Sequence, residues 1–272
     1  MSETEHKMND TPRISIITIA FNNAADIEPT LQSVIEQDYP GIEYIVVDGA
    51  STDGTLDIIE RYRDHIDRMI SEPDDGMYEA INKGIRMATG DIVGLIHAGD
   101  RLYSSDIIYR IADQFARQEI DAIYGHSVHV DSNDRVVRVN RSPAFSRGAI
   151  RRGWMPSHQS IYMKKSVIER NGDYRTDLGP NADYEFFIRH FYRYPIEVAR
   201  IDAFIVRFAL GGSSTTSYHR ILHRQKIHAD CWRLNDLSPP IYLIPFKLAR
   251  KGPQFIRGLF RRVARAARAP GQ

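Results

Sequence analysis

Between residues 13 and 96, short β-branched apolar runs alternate with amphipathic stretches, and this alternation constrains the fold more than any other feature of the chain. Residues 13–20 (RISIITIA) and 42–48 (IEYIVVD) read as strands buried on both faces, the pattern of a parallel sheet. Residues 68–71 form a short third strand and 91–96 a fourth. Between them, 24–37 carries Ile27, Leu31, Val34 and Ile35 at helical spacing and ends at Tyr39-Pro40-Gly41. Two more helices are predicted at 55–62 and 76–89, the latter closed by Gly90. Strand–helix alternation at this pitch implies right-handed crossovers, hence an α/β fold with a parallel sheet.

After Asp100 the rhythm changes. A helix at 106–118 precedes a hairpin of 122–130 and 135–139 around Ser132-Asn133-Asp134. Residues 155–163 read as loop then strand and 164–170 as a short helix. The stretch 182–192 reads as a helix with Phe186, Phe187, Ile188 and Phe191 on its buried side. Residues 196–210 are strand-like, 211–214 a Gly-Ser turn and 218–234 a helix. The first half looks like a nucleotide-binding half and the second like an acceptor half. Within the second half, the Arg- and Gly-rich segment 142–156 has the composition of a lid over the acceptor.

The 272 residues suit one elaborated α/β domain, or a domain with a tail, and 42% hydrophobic residues support a sizeable core. Cys231 is the single cysteine, which excludes an internal disulfide. Residues 1–11 are polar and lack the apolar region of a signal peptide, and the first twelve residues are expected to be disordered. No apolar run reaches the roughly 18 residues needed to span a bilayer. A cytoplasmic location is expected.

The chemistry-bearing residues lie where strands are predicted to end, the usual ligand edge of an open α/β sheet. Asp48 closes the second strand and opens Gly49-Ala50-Ser51-Thr52-Asp53-Gly54-Thr55. Its carboxylate suits a ribose hydroxyl or a base N–H, or else braces the turn; Asp53 reads as a helix cap. Asp100 follows the fourth strand and is either a hard ligand for a divalent ion on a diphosphate or a turn cap. Asp183 and Glu185 open a helix after Gly179-Pro180-Asn181, where a carboxylate is stabilised as the anion and Asp183 is the better general base. Ten histidines show no HExxH spacing, and the chain has no P-loop, no GxGxxG after the first strand and no GxSxG elbow.

In order and spacing these pieces resemble the inverting family 2 glycosyltransferases of the GT-A fold, over about residues 12–214. The resemblance rests on Ile14-Ser15-Ile16-Ile17-Thr18 to Phe21-Asn22-Asn23, on Leu31-Gln32-Ser33-Val34, and on Glu43 to Thr55. The stretch Glu72-Pro73-Asp74-Asp75-Gly76-Met77-Tyr78-Glu79-Ala80-Ile81-Asn82-Lys83-Gly84, His158-Gln159 and Ala182-Asp183-Tyr184-Glu185 look closest to the bacterial exopolysaccharide and colanic-acid-type subgroup. The resemblance implies a Rossmann-like, mostly parallel sheet flanked by helices. The transferase domain would span 13–236, with a donor half at about 13–104 and an acceptor half at about 105–236. Asp183 would be the catalytic base. Thr18, Ala20, Asn22, Asp48, Asp75, Asn82, His97 and Ala98 would contact a nucleotide-sugar donor, and Asp100 would bind metal, with His97 as a further ligand. His158, Gln159 and Glu185 would stand on the side of a glycan or lipid-linked acceptor. Gly49, His97 and Gly99 occupy places where the family carries further acids. Mg²⁺ or Mn²⁺ is expected, and the imidazole favours Mn²⁺. Two other classes compete: a nucleotidyltransferase, which would show a Gly-rich, Lys/Arg-bearing loop after the first strand, and a catalytically silent nucleotide-binding scaffold.

The net charge of +1 conceals an asymmetry. Residues 237–272 carry eight basic and no acidic side chains, leaving 28 basic against 35 acidic elsewhere, a net of −7. Leu243, Ile244, Phe246, Leu248, Phe255, Ile256, Leu259, Phe260 and Val263 alternate with the arginines and lysines, and Pro245 and Pro253 would divide the tail into short helices. A basic, amphipathic C-terminal extension suits an anionic membrane surface, which predicts a peripheral position on the inner face. The apolar face argues against nucleic acid; a helix packed on the body with a solvated basic face is the plainer alternative.

Overall fold

The computed structural model describes residues 11–210 and 227–240. The expected N-terminal disorder, the turn at 211–214, most of the 218–234 helix and nearly all of the basic tail lie outside the described residues. Within them, nine strands form one sheet in the order β3-β2-β1-β4-β8-β6-β9-β5, with β7 paired to β6. The four strands of the first half, β1 (Ile14–Ala20), β2 (Ile42–Asp48), β3 (Arg68–Ser71) and β4 (Ile92–Leu95), pair in parallel. Every residue of β1 is buried, as its β-branched run requires.

The second half folds onto the same sheet. Strand β8 (Ile161–Lys164) runs antiparallel to both β4 and β6 (Ala122–Val130). Strand β9 (Val198–Ala209) then runs parallel to β6 and carries the two-residue β5 (Arg101–Leu102) on its outer edge. The expected hairpin is present as β6 and β7 (Val136–Asn140), antiparallel with a register shift at His129/Val130. This is the α/β architecture of a central sheet flanked by helices that the resemblance implies. The donor and acceptor halves are not separate bodies, because β5 from the first pairs with β9 from the second.

Helices cover both faces. Helices α1 (Ile27–Ile35), α2 (Thr55–Glu60) and α4 (Ile107–Arg117) bury Ile27, Leu31, Ile59, Ile108 and Ile111 in one layer with Ile14 and Ile16. The opposite layer holds Ile17, Ile19 and residues of α3 (Met77–Met87), α5 (Arg147–Arg151), α6 (Lys165–Asn171), α7 (Ala182–Ile188) and the helix at 227–233. Helix α3 approaches β1 closely because Gly84 lies over Ile17, where a Cβ would overlap Ile17 Cγ2. The segment expected as a lid is anchored here: Ala149, Ile150 and Trp154 are buried, and Trp154 packs edge-on against Tyr124 and Phe187.

The helix predicted over 182–192 ends as α-helix at Ile188 and continues as a π turn, Arg189–Arg193. Arg189 donates to both carboxylate oxygens of Glu185 and to the carbonyls of Asn171, Gly172 and Asp173. We attribute the widened turn to that convergence, since one side chain serves two segments there.

At the sheet's amino edge Glu43 is 1% exposed, and its carboxylate joins β1, β2 and the turn into β4. It accepts from Ser15 Oγ (2.5 Å), Thr89 N and Oγ1 (2.6 Å each), Gly90 N (3.2 Å) and Arg68 Nε (3.2 Å). Burial alone would raise its pKa, but the Ser15 and Thr89 hydrogen bonds and the charge of Arg13 prevail and hold it at about 2. Because the folded-state value lies below the ordinary 4.5, the carboxylate stabilises the fold fully above about pH 4.5, and this is lost as pH falls through 2. Glu43→Gln should therefore lose about 2 kcal/mol at pH 7. In urea titrations its stability should change less between pH 5 and pH 2 than that of the parent protein.

Candidate active site

The loops following β1, β2, β3 and β4 meet residues of β6, β7 and β9 around a cleft of about 1120 Å³. Ala20, Phe21, Gly49, Asp74, His97, Ala98 and Asp100 line it from the first half; His129, Arg138, Gln159, Phe208 and Ala209 line it from the second.

Asp100 is the best-held of these groups. Gly99, at φ +93°, turns the chain after β4, and Asp100 N donates to His97 O at 2.9 Å. Thr30 Oγ1 accepts from Gly99 N (3.0 Å) and donates to Asp100 O (2.7 Å), fastening this turn to α1. The carboxylate accepts from Gln159 Nε2 at Oδ2 (2.8 Å) and from Ala209 N at Oδ1 (3.0 Å). Gln159 Oε1 in turn accepts from His97 N at 2.9 Å, so one amide spans the turn. Burial raises the Asp100 carboxyl to about 6, against the opposing pull of Gln159, Ala209 and His158.

Beside it stands a chain of three side chains. His97 Nε2 and His158 Nε2 are 3.3 Å apart, and His158 Nδ1 lies 3.8 Å from Asp183 Oδ2 at the start of α7. Burial, reinforced by the His158 ring, holds His97 well below its ordinary pKa, so it is neutral. Asp183, Asp100, His97, His158 and Gln159, separated by up to 86 positions in the chain, are thus brought together around one turn.

The remaining sequence candidates are placed as follows. Ala20 and Ala98 line the cleft. Asn22, at φ +50°, donates through its N–H to Ser51 Oγ and accepts at Oδ1 from Thr52 N, tying the β1 and β2 loops together. Thr18 is buried and hydrogen-bonded to Tyr44 OH at 3.0 Å. Asp48 is fully buried and accepts from Ser51 N (3.0 Å), Ser51 Oγ (2.5 Å) and Ser71 Oγ (2.6 Å). Those are the contacts of a residue that braces its turn. Asp53 accepts from Ala24 N and from Thr55 N and Oγ1, which fixes the start of α2. Asn82 is buried, with both amide atoms on the Tyr174 backbone. Asp75 is exposed, its N–H donating to the Glu79 carboxylate, whereas the neighbouring Asp74 lines the cleft. Glu185 is buried in its pair with Arg189 and also accepts from Asn235 Nδ2.

Sequence reasoning missed Asp74, His129, Arg138 and Phe208. The strand alternation carried the signal for two of them, since His129 and Arg138 oppose each other in the hairpin register and therefore share a face.

The resemblance implies a divalent ion at this turn. Among the described residues no three His, Cys, Asp or Glu side chains cluster as a metal site. A closed, all-protein cage is therefore not what these residues offer. Each Asp100 oxygen accepts one protein hydrogen bond and retains a further lone pair. That fits an ion held through one carboxylate, with the substrate's phosphates and water completing its shell. One nitrogen of His97 is already committed to His158.

Comparison with known proteins agrees with the fold. Residues 15–176 match the family described as Glycosyl transferase family 2. The chain is 32% identical over 184 residues to a PGL/p-HBAD biosynthesis glycosyltransferase of Mycobacterium bovis, covering 66% of this chain and 70% of that protein. Among solved structures, S. aureus TarS 1–349 in complex with UDP-GlcNAc superposes with a TM-score of 0.63 at 19% identity, covering 90% of this chain and 79% of that one. A mannosyltransferase from Pyrobaculum calidifontis in complex with GDP-Man and Mn²⁺ gives 0.59 at 20% identity, covering 96% and 76%. The chain belongs to glycosyl transferase family 2, and it is a glycosyltransferase with a GT-A-type fold. The nucleotidyltransferase alternative falls with that finding.

Gln159 is the joint on which the site geometry turns. Gln159→Leu leaves the His97 N–H and one Asp100 oxygen without their partners in a half-buried setting. It should lower stability by about 1–3 kcal/mol in urea denaturation.

Proposed function

We propose that the protein is an inverting transferase, moving a sugar from a nucleoside-diphosphate donor to a hydroxyl of a glycan or glycolipid. The observation that carries this is the Asp183–His158–His97 chain running beside Asp100, with His97 and Asp100 both on the cleft. It links a base, Asp183, through two imidazoles to the cleft where Asp100 would meet the leaving group. The acceptor hydroxyl attacks the anomeric carbon from the face opposite the diphosphate. As its oxygen bonds to that carbon, its proton passes to the Asp183 carboxylate. The carbon–oxygen bond to phosphate breaks, and its electron pair leaves with the nucleoside diphosphate. Configuration at the carbon inverts. His158 Nδ1 lies 3.8 Å from the Asp183 carboxylate and is its nearest ring neighbour on the path to His97. A divalent ion, when bound at Asp100, would neutralise charge on the diphosphate.

For the donor, Asp74, Phe21 and Gly49 on the first-half wall suit the nucleoside, with Ala20, Ala98 and His97 beside it and Asn22 holding the loop that carries Phe21. Asp48, Thr18, Asn82 and Asp75 would act on the donor through the loops they hold, as would Glu185 on the acceptor side through α7. The structural relatives bind UDP-GlcNAc and GDP-Man, the latter with Mn²⁺, which supports a nucleotide-sugar donor and either Mg²⁺ or Mn²⁺ here. The M. bovis relative's name supports a glycolipid or surface-glycan acceptor.

The test combines binding and turnover. One of UDP, GDP or dTDP should raise the melting temperature, more so with Mn²⁺. Asp183→Asn should keep that shift while losing about 10²–10⁴-fold in transfer rate. Full activity in Asp183→Asn would remove Asp183 as the base.

We further propose that residues 13–236 form the transferase domain and that 237–272 binds an anionic membrane surface from the cytoplasmic side. Its eight basic residues against an acidic body support this. Among the described residues no helix is long and apolar enough to cross a membrane. Replacing Arg257, Arg261, Arg262 and Arg265 by Gln should release the protein from phosphatidylglycerol vesicles in a sedimentation assay. Undiminished binding would refute a role for the tail.

A further inference from the structure

Two carboxylates, Asp74 and Asp100, line the cleft, yet among the described residues a single arginine and no lysine lines it, Arg138. A cleft that receives a diphosphate needs positive charge, so the position and state of this one guanidinium matter. Arg138 lies on β7 directly opposite His129 on β6, and His129 is level with Phe208 on β9. The three side chains make a row across the sheet that ends beside Ala209, whose N–H holds Asp100. The His129 ring packs on Phe208 with centroids 5.2 Å apart, and its Nδ1 lies 3.3 Å from Asn140 Nδ2.

Other arginines on these strands are occupied within the protein. Arg101 and Arg207 both pair with Asp134, and Arg200 donates to Ser142 O. Arg138 is exposed and has no carboxylate partner among the described residues. Burial and the adjacent Arg138 charge hold His129 below its ordinary pKa, so the ring is neutral and Arg138 supplies the row's positive charge.

We propose that Arg138 binds the diphosphate of the nucleotide donor from the side of the cleft opposite Asp100. Three strand spacings separate β7 from the edge where Asp100 sits, at most about 14 Å and less because the sheet curls. An extended arginine and a diphosphate together fill that gap. The guanidinium fork matches phosphate oxygens bidentately and costs little to desolvate compared with an ammonium. Negative charge accumulating on the leaving diphosphate would then be met by a fixed cation in addition to whatever ion Asp100 holds. The inference rests on the nucleotide-donor reading above, and it assigns the β6–β7 hairpin to the leaving group rather than to the acceptor alone.

The test is calorimetric titration of UDP, GDP, dTDP and the matching nucleosides into the full-length protein, without metal and with Mn²⁺. Arg138→Gln should weaken whichever diphosphate the parent binds by about 10–100-fold, while leaving the nucleoside unchanged. Arg138→Lys, which keeps the charge and loses the fork, should fall between. Arg135→Gln, an equal loss of charge on the same hairpin but off the cleft, should bind as the parent does. Should Arg138→Gln misfold by circular dichroism, the lysine variant still has to show weakened binding. Equal diphosphate affinity in parent and Arg138 variants would overturn this inference and leave the proposed function standing. A raised acceptor KM with unchanged diphosphate affinity would also overturn it, assigning Arg138 to an acceptor phosphate. If the parent bound none of the three diphosphates, the donor reading itself would fall.

Discussion

Strand β1 is the member on which the rest of the structure depends. It is hydrogen-bonded in parallel to β2 on one edge and β4 on the other, and all seven of its residues are buried. Burial on both faces makes its side chains alternate between two apolar layers, Ile17 and Ile19 in one and Ile14, Ile16 and Ala20 in the other. Its two hydroxyls are each met by a residue of β2, Ser15 by Glu43 and Thr18 by Tyr44. A slip of one residue would exchange the layers and strand those hydroxyls, so the register is fixed. With it fixed, the chain leaves the sheet at one level: Gly49 N bonds Ala20 O and Ala98 N bonds Ile19 O. The cleft wall is the direct consequence.

Electrostatics at the cleft follow from what that wall buries. Asp100 is drawn in far enough that burial outweighs its hydrogen bonds and lifts its carboxyl to about 6, whereas Glu43, buried at the other end of the sheet, lies at about 2. Donors and charge account for the contrast. Glu43 receives five hydrogen bonds and has Arg13 and Arg68 nearby; Asp100 receives two and has no arginine partner among the described residues. The structural carboxylate is saturated, and the cleft carboxylate keeps lone pairs for a ligand. Stability and function thus use the same side-chain chemistry with opposite degrees of satisfaction.

Much of this was legible in the sequence wherever the determining contacts are local. Strands β2, β3 and β6 begin and end where their apolar runs do, because Gly41, Gly49 and the Ser132-Asn133-Asp134 turn bound them sharply. The helix over 182–192 was legible in its apolar face but not in its π turn, which depends on Arg189 reaching carbonyls 16 to 18 residues away. Pairing partners were equally hidden: nothing in 161–164 says that it joins β4 to β6 with both antiparallel. Glu43 sits in an apolar run and read only as strand, since its partners Thr89 and Gly90 are more than forty positions distant. The motif residues Asp100, His158, Gln159 and Asp183 were legible as types at strand and helix ends. That one glutamine amide would join His97 to Asp100 was not. Arg138 escaped notice because an arginine in an exposed hairpin reads as a solvated charge until the sheet's curl brings that hairpin to the cleft.

The manner in which Asp100 is held bears on how such a site can diversify. Its turn leaves β4 in the parallel half, but its carboxylate is gripped by Gln159, just before β8, and by the backbone at the end of β9. Both grips belong to the second half of the same sheet, so the Asp100 end of the cleft cannot shift relative to that half without breaking these hydrogen bonds. The parts that face substrate are Phe21 to Asn23 and the loop from Gly49, tied to each other through Asn22, then the loop carrying Asp74, and the β6–β7 hairpin, whose Asp134 pairs with Arg101 and Arg207. Each of the first three meets the cleft on its first-half wall, and the hairpin meets it through His129 and Arg138. A change of donor or acceptor would therefore cost little in stability, because the loops that recognise substrate contribute few of the buried contacts that hold the sheet together.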